Sequence, residues 1–384
     1  MSDLVTLEKS LIGSSRPLPW PVYDSQGKML LRKGYVVKDE AQRDELINRG
    51  VYRRKSDDPN YQEEKKVFKE DVSPFQLLEE LTQDLEKALN FIVNSNPNAI
   101  NNIEQVSQKL LDIFSEHPDA SLGYIHLHSG PLSSIEHYLA YGILACAVGQ
   151  KLGYNDEQLK LMVNIAITAN VAFSTVHSQL NERNIKLSEQ QKEIIKKHPI
   201  QSAALLKKLG LTDATWLKSV EQHHRTACGE GYPNTDDTDL LQEAKIMNLC
   251  EHYVALINHR GYRDRKHGNE ALREIYRRAS HDPDEPAYLA FLNALSAYPP
   301  GTFALLMNGE VALVTHRAPI KSKPMVKAII SPRGGPYTGY YLRDCNKQET
   351  SIREPVVMDK IPALDRNVLW DYSKPLAERM ANRH

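Results

Sequence analysis

From Pro74 onward, apolar residues recur at helical intervals, and this constrains the chain more than any other feature. Phe75, Leu78, Leu81, Leu85 and Leu89 fall at spacings of three and four, which places them on one face of a helix. Helical patterns follow at about 99–116, 134–153, 156–173, 187–197, 199–209, 213–224, 240–258, 268–279 and 285–297. Pro199 is expected at the first position of its helix, where a missing N–H costs nothing. A helical core of roughly 200 residues is large enough to bury itself.

Different patterns flank this core. Ahead of it, Pro19 to Tyr23 reads as a strand, Asp24 to Gly27 as a turn and Met29 to Leu31 as a second strand. Val36-Val37 suggests a third strand, Lys38 to Arg49 a helix stopped by Gly50, and Val51-Tyr52 an edge strand. Ser56 to Ser73 is charged and poor in aliphatics, as linkers are. Behind the core, Phe303 to Met307 and Val311 to Thr315 flank Asn308-Gly309, a strong hairpin signal. Val326 to Ile330 and Gly339 to Leu342 continue the strand-like pattern. The expected organisation is a small α/β module at 1–55, a linker at 56–73, a helical domain at 74–300 and a β-rich extension at 301–384. The expected fold class is mainly α.

Charge and cysteine content narrow the function classes. With 48 Lys+Arg against 49 Asp+Glu, the net charge is −1. That gives no general attraction to extended nucleic acid or to membranes, while leaving room for a local basic patch. Cys146, Cys228, Cys250 and Cys345 form no CxxC pair, which argues against a thiolate zinc site. The start, MSDLVTLEKS, lacks a basic segment followed by an apolar one, so no signal peptide is expected. The longest apolar run, Tyr138 to Gly149, falls short of the roughly twenty residues of a spanning helix. A reducing, cytoplasmic setting is expected.

His137, His198, His223, His224 and Glu251 each lie on or at the end of a helical pattern. Glu251 shares a face with Ala244, Met247 and Val254, where an acid is costly unless paired or bound to a metal. Facing helices that converge such side chains build metal sites in bundles. The alternative is that these histidines are core and helix-cap residues, since a His-His pair at a helix end also complements the dipole. Spacing alone leaves both readings open.

The segment from His223-His224-Arg225 to Gly229-Glu230-Gly231-Tyr232-Pro233 resembles the paired-histidine and GxGYP signature of the HD-GYP domain. This is the cyclic di-GMP phosphodiesterase branch of the HD metal-dependent phosphohydrolases, a bacterial signalling family. His137 at a helix start, His198-Pro199, Glu251 followed by Tyr253-Val254-Ala255-Leu256, and Arg260-Gly261-Tyr262-Arg263 match it in order. So does Tyr298-Pro299-Pro300-Gly301 leading to Gly309-Glu310-Val311, and the likeness covers roughly residues 74–316. The resemblance implies an HD-type helical bundle. It implies metal ligands at His137, His198, His223, His224 and Glu251, phosphate contacts from Arg225, Arg260, Tyr262 and Arg263, and a partner loop at Gly229, Gly231, Tyr232 and Pro233.

The departures are specific. The family's His-Asp pair is expected at Thr168-Ala169, neither of which is a ligand. Glu251 stands for an aspartate, Arg225 for a frequent glutamate, Cys228 for an aspartate, and Ser133 for an occasional carboxylate. The expectation is a degenerate site with no catalytic pair, holding one divalent ion of the Fe, Mn or Zn class or none. The chain would then be a pseudoenzyme-like regulator that binds cyclic di-GMP or a related dinucleotide, or a partner such as a diguanylate cyclase or another signalling domain. The competing expectation is a metal-dependent phosphodiesterase that yields pGpG or GMP from an altered or single-metal site.

Overall fold

The computed structural model describes residues 4–6, 18, 21–24, 28–48, 52–54, 72–127, 132–174, 188–226, 231–234, 239–258, 266–278, 286–317, 323–358 and 363–372. The chain divides into two compact units, Met1–Glu70 and Asp71–His384.

The first unit holds an antiparallel sheet of β1 (Leu4–Thr6), β2 (Val22–Tyr23), β3 (Met29–Leu31) and β4 (Tyr52–Arg54), in the order β1-β4-β2-β3, with helix α1 (Glu40–Asn48). Leu18, Val22 and Val37 form its buried core, packed by Leu30, Leu31, Tyr35 and Leu46. Two expectations are corrected. Tyr52 belongs to a strand between β1 and β2, not at an edge. Val36 makes only an isolated bridge.

Among the described residues of the second unit, ten helices precede a sheet. They are α2 (Pro74–Val93), α3 (Ala99–Glu116), α4 (Pro118–His126), α5 (Ser134–Lys151), α6 (Asp156–Thr168), α7 (Glu189–Lys208), α8 (Ala214–Gln222), α9 (Gln242–Ile257), α10 (Gly268–Arg278) and α11 (Pro286–Leu295). A short 3-10 turn, Val171–Phe173, follows α6. Several of their starts carry side-chain caps. Ser73 Oγ accepts from Phe75 N ahead of Pro74, and Ser133–Glu136, Asn155–Gln158 and Ser188–Gln191 are capping boxes.

The centre of the bundle is α5. Every residue from His137 to Gly149 is buried, as expected of a helix that is apolar on all sides. It packs against α6, α9, α11, α2, α3 and α4. At Gly142 a Cβ would come within 2.7 Å of the Leu110 side chain, so the glycine sets the close approach of α3. No helix among the described residues is long and apolar enough to cross a membrane.

The sequence pattern separates 187–197 from 199–209, yet α7 is continuous with Pro199 inside it. The proline is accommodated by a side chain that takes up the orphaned carbonyl, described below.

Among the described residues five antiparallel strands follow, β5 (Phe303–Leu306), β6 (Val311–His316), β7 (Met325–Ile330), β8 (Pro336–Arg343) and β9 (Ile352–Val356), in the order β8-β7-β6-β5-β9, and then a short helix, Arg366–Leu369. The expected hairpin is present, with Leu305 paired to Val311 and Gly309 at φ +85°. Arg343 grips Glu310 with two bonds of 2.6 and 2.7 Å, and Tyr337 adds a third at 2.7 Å. Chiefly through the Arg343 bonds, the Glu310 carboxyl is pulled down to about 2. Sheet and bundle share one core. Arg317 bonds Asp119 of α4 at 2.5 Å and the Ala294 carbonyl of α11 at 2.6 Å. Trp370 meets Phe75 edge-on at 5.1 Å.

Candidate metal centre

Three imidazoles converge where α7, α8 and α9 meet. His198, His223 and His224 each offer a ring nitrogen, and these atoms all lie within 4.8 Å of one another.

The local sequence prepares each ring. Pro199 has no N–H, so the Ile195 carbonyl four residues earlier loses its helical donor. His198 Nδ1 lies 2.5 Å from that carbonyl. A carbonyl only accepts, so Nδ1 carries the proton and Nε2 presents its lone pair. His223 caps the C-terminus of α8, where the last carbonyls lack intrahelical partners. Its Nδ1 lies 2.6 Å from Val220 O, which fixes the same tautomer. Asn248 of α9 holds the His223 carbonyl at 3.0 Å.

The two Nε2 atoms are 3.1 Å apart. With both Nδ1 atoms protonated, two lone pairs face each other, a repulsive arrangement unless a cation or a shared proton lies between them. The donor chemistry therefore fits a metal ion. Burial draws His198 down to about 4. Burial, with His198 adding to it, draws His223 down to about 3. His224 is pushed well below its usual value by burial and by those two neighbours. All three are neutral near pH 7, the form that ligates metals.

Glu251 of α9 joins the cluster. Its Oε2 is 3.4 Å from His224 Nδ1 and 3.9 Å from His223 Nε2. Its Oε1 accepts from Asn170 Nδ2 at 2.5 Å. Asn170 is buried at the end of α6, and its carbonyl accepts from Tyr138 OH at 3.3 Å. Aromatic rings line the cluster, with Phe173 stacked on His198 at 5.2 Å and Tyr232 tilted against His224 at 4.6 Å.

Gly231 explains how Tyr232 arrives there. Its φ is +98°, and a Cβ would sit 2.0 Å from His224 O, so only glycine lets the chain fold back on the histidine pair. Arg225 and Gly231 form a β-bridge, and Tyr232 N bonds His224 O at 3.4 Å.

Of the expected ligands, the fold brings together His198, His223, His224 and Glu251. His137 is not in the cluster. Its Nδ1 bonds Ser133 O and its Nε2 bonds Asn258 Nδ2, both at 2.8 Å, so both nitrogens are engaged. Thr168 also has its partners elsewhere. Its hydroxyl donates to Asn164 O at 2.6 Å and accepts from Trp216 Nε1 at 2.9 Å, fully buried between α6 and α8. The residue of this segment that reaches the cluster is Asn170, which sequence reasoning missed. A polar residue just past an apolar helix was its only signal.

Arg225 is half-buried beside the cluster. Gly229, Arg260, Tyr262 and Arg263 lie outside the described residues. Replacing Thr168 by Val should leave the Trp216 N–H buried without its acceptor. The expected loss is about 1–3 kcal/mol in chemical denaturation, with metal content unchanged.

Residues 129–285 match the HD domain family model. The cyclic di-GMP phosphodiesterase PdeB of Borreliella burgdorferi is 25% identical over 181 residues, 47% of this chain and 48% of that protein. The cyclic di-GMP phosphodiesterase PA4108 of Pseudomonas aeruginosa is 23% identical over 236 residues, 60% of this chain and 55% of that protein. The chain thus spans about half the length of the curated relatives it matches. Among solved structures, Bd1817 of Bdellovibrio bacteriovorus, described as an HDG"Y"P protein, is 17% identical with a TM-score of 0.48, covering 76% of this chain and 99% of that one.

Proposed function

We propose that the chain, whose residues 129–285 match the HD domain family model, is a signalling module of the HD-GYP kind that binds cyclic di-GMP beside a single divalent ion and does not hydrolyse it. The ion would be held by His198, His223, His224 and Glu251. An imidazole-rich set with one carboxylate suits first-row ions such as iron or zinc. The ligand follows from the relatives, which are named for acting on cyclic di-GMP.

The observation that carries the reading is the asymmetry of the site. Three neutral imidazoles and Glu251 converge, while the end of α6 contributes Ala169 and the neutral Asn170. When bound, a divalent ion supplies a Lewis acid that polarises a phosphate oxygen. Water attack on a phosphodiester is commonly served by two ions that clamp the attacking and leaving oxygens. Here His137 is held by Asn258, and Ala169 has no ligand atom. We read the HD pair of the family as falling at Ala169-Asn170, one residue later than the sequence pattern suggests. On the ligand side, Tyr232 offers a ring for base stacking. Arg225, and Arg260, Tyr262 and Arg263 beyond it, supply donors for phosphate. The loop through Gly229, Gly231, Tyr232 and Pro233 is the proposed contact for a partner signalling domain such as a diguanylate cyclase.

The competing reading is a phosphodiesterase working with one ion, and the relatives' names favour it. Calorimetry with cyclic di-GMP and chromatography of the incubated nucleotide separate the two. Binding with the nucleotide recovered intact is expected. Release of pGpG or GMP would overturn the non-catalytic reading, and absence of heat with folded, metal-loaded protein would remove cyclic di-GMP as the ligand.

A further inference from the structure

The bond between Asn170 and Glu251 is the feature of the cluster with the most to explain. A carboxylate can only accept, so the Asn170 atom 2.5 Å from Glu251 Oε1 is its amide nitrogen, donating. Glu251 is thereby divided. One oxygen is engaged by a neutral donor, and the other lies 3.4 Å from His224 Nδ1 within the imidazole cluster. The donor is itself immobilised. Asn170 is 4% exposed, its carbonyl receives the Tyr138 hydroxyl, and its backbone leads into the 3-10 turn that sets Phe173 on His198.

Resting on the single-ion reading above, we propose that Asn170 is a positioning residue that fixes Glu251 as a one-oxygen ligand and, by donating N–H to its other oxygen, occupies the place where a second cation would bind. An aspartate at this position would set two carboxylates within 2.5 Å, a pair that requires a proton or a cation between them. The amide meets the same oxygen without either. Asparagine therefore stabilises the carboxylate and limits the site to one ion at the same atom. The residue acts through Glu251 and does not itself ligate.

Two variants and one readout test this. The dissociation constant for Co(II) is measured by competition with a chromophoric chelator on the full chain, with the number of ions bound taken from the same titration. The wild type is expected to take one ion. Asn170→Ala is expected to take one ion about 10–100-fold more weakly, the usual effect of losing a partner that orients a ligand, with an altered visible Co(II) spectrum as Glu251 shifts. Asn170→Asp, which puts a carboxylate there but adds no imidazole, is expected to admit a second ion more weakly held than the first. A wild type that binds no ion would overturn the single-ion reading itself. A wild type with one ion, an Asn170→Ala variant of unchanged affinity and spectrum, and an Asn170→Asp variant that still takes one ion would overturn the role of Asn170 while leaving that reading intact. Far-UV circular dichroism and melting of the metal-free variants separate a folding defect from loss of ligand orientation, because a merely structural role would lower the melting midpoint without moving the Co(II) constant.

Discussion

Replacing His223 with Gln should abolish stoichiometric metal binding, whereas the same replacement at His137 should leave it in place. His223 Nε2 faces His198 Nε2 at 3.1 Å, and its tautomer is set by the Val220 carbonyl. Glutamine offers no imidazole lone pair there, so the ion would lose the ligand that faces His198. The expected loss of affinity exceeds the ~10–100-fold typical of residues that only orient ligands. His137 bonds Asn258 and Ser133, so its replacement should lower stability and spare the ion. Elemental analysis of the two variants side by side reads this directly. If His137→Gln loses the ion and His223→Gln keeps it, the assignment of the site is wrong.

The second large effect is expected at Gly231. Alanine there must adopt φ near +98° and place its Cβ 2.0 Å from His224 O. Backbone cannot yield as a flexible side chain does, so the fold-back over the histidine pair would open. Strain at such a position and the loss of the turn together are expected to cost about 2–4 kcal/mol. The metal-binding consequence is specific: Tyr232 would leave His224, and the carbonyl that receives the Tyr232 N–H would shift. The variant should melt several degrees lower and bind Co(II) more weakly. Gly210 serves as the control. Its φ is +91° with nothing near its absent Cβ, so alanine there carries the backbone strain without the clash and should leave metal affinity unchanged.

Much of the bundle was legible because helices such as α2 show one apolar face. Phe75, Leu78, Leu81, Leu85 and Leu89 gave α2, and all five are buried. Helix α4 was not legible: at nine residues, with 120–125 all buried, it is too short for a helical period to show. Strand β9 contains Pro355, which reads against a strand, yet the proline is tolerated because β9 lies at the sheet edge. Strands β1 and β4 are three residues each, too short for any period to show.

The site divides in the same way. His198, His223, His224 and Glu251 were legible as a set through the family resemblance, and Pro199 marked the carbonyl that orients His198. The hydrogen bond between His137 and Asn258 was not legible, because the two lie 121 positions apart and nothing in the local sequence announces it. Thr168 and Asn170 differ by two positions on a turning backbone, so one faces Trp216 and the other faces Glu251. Periodicity cannot settle such a register at a helix end, where the geometry changes from α to 3-10.

In the proposed site one ion is held by three imidazoles and one carboxylate. Elemental analysis of the full chain, purified without chelator, tests this most directly. One divalent first-row ion per chain is the predicted result. Two ions per chain, or none after saturating supply, would contradict it.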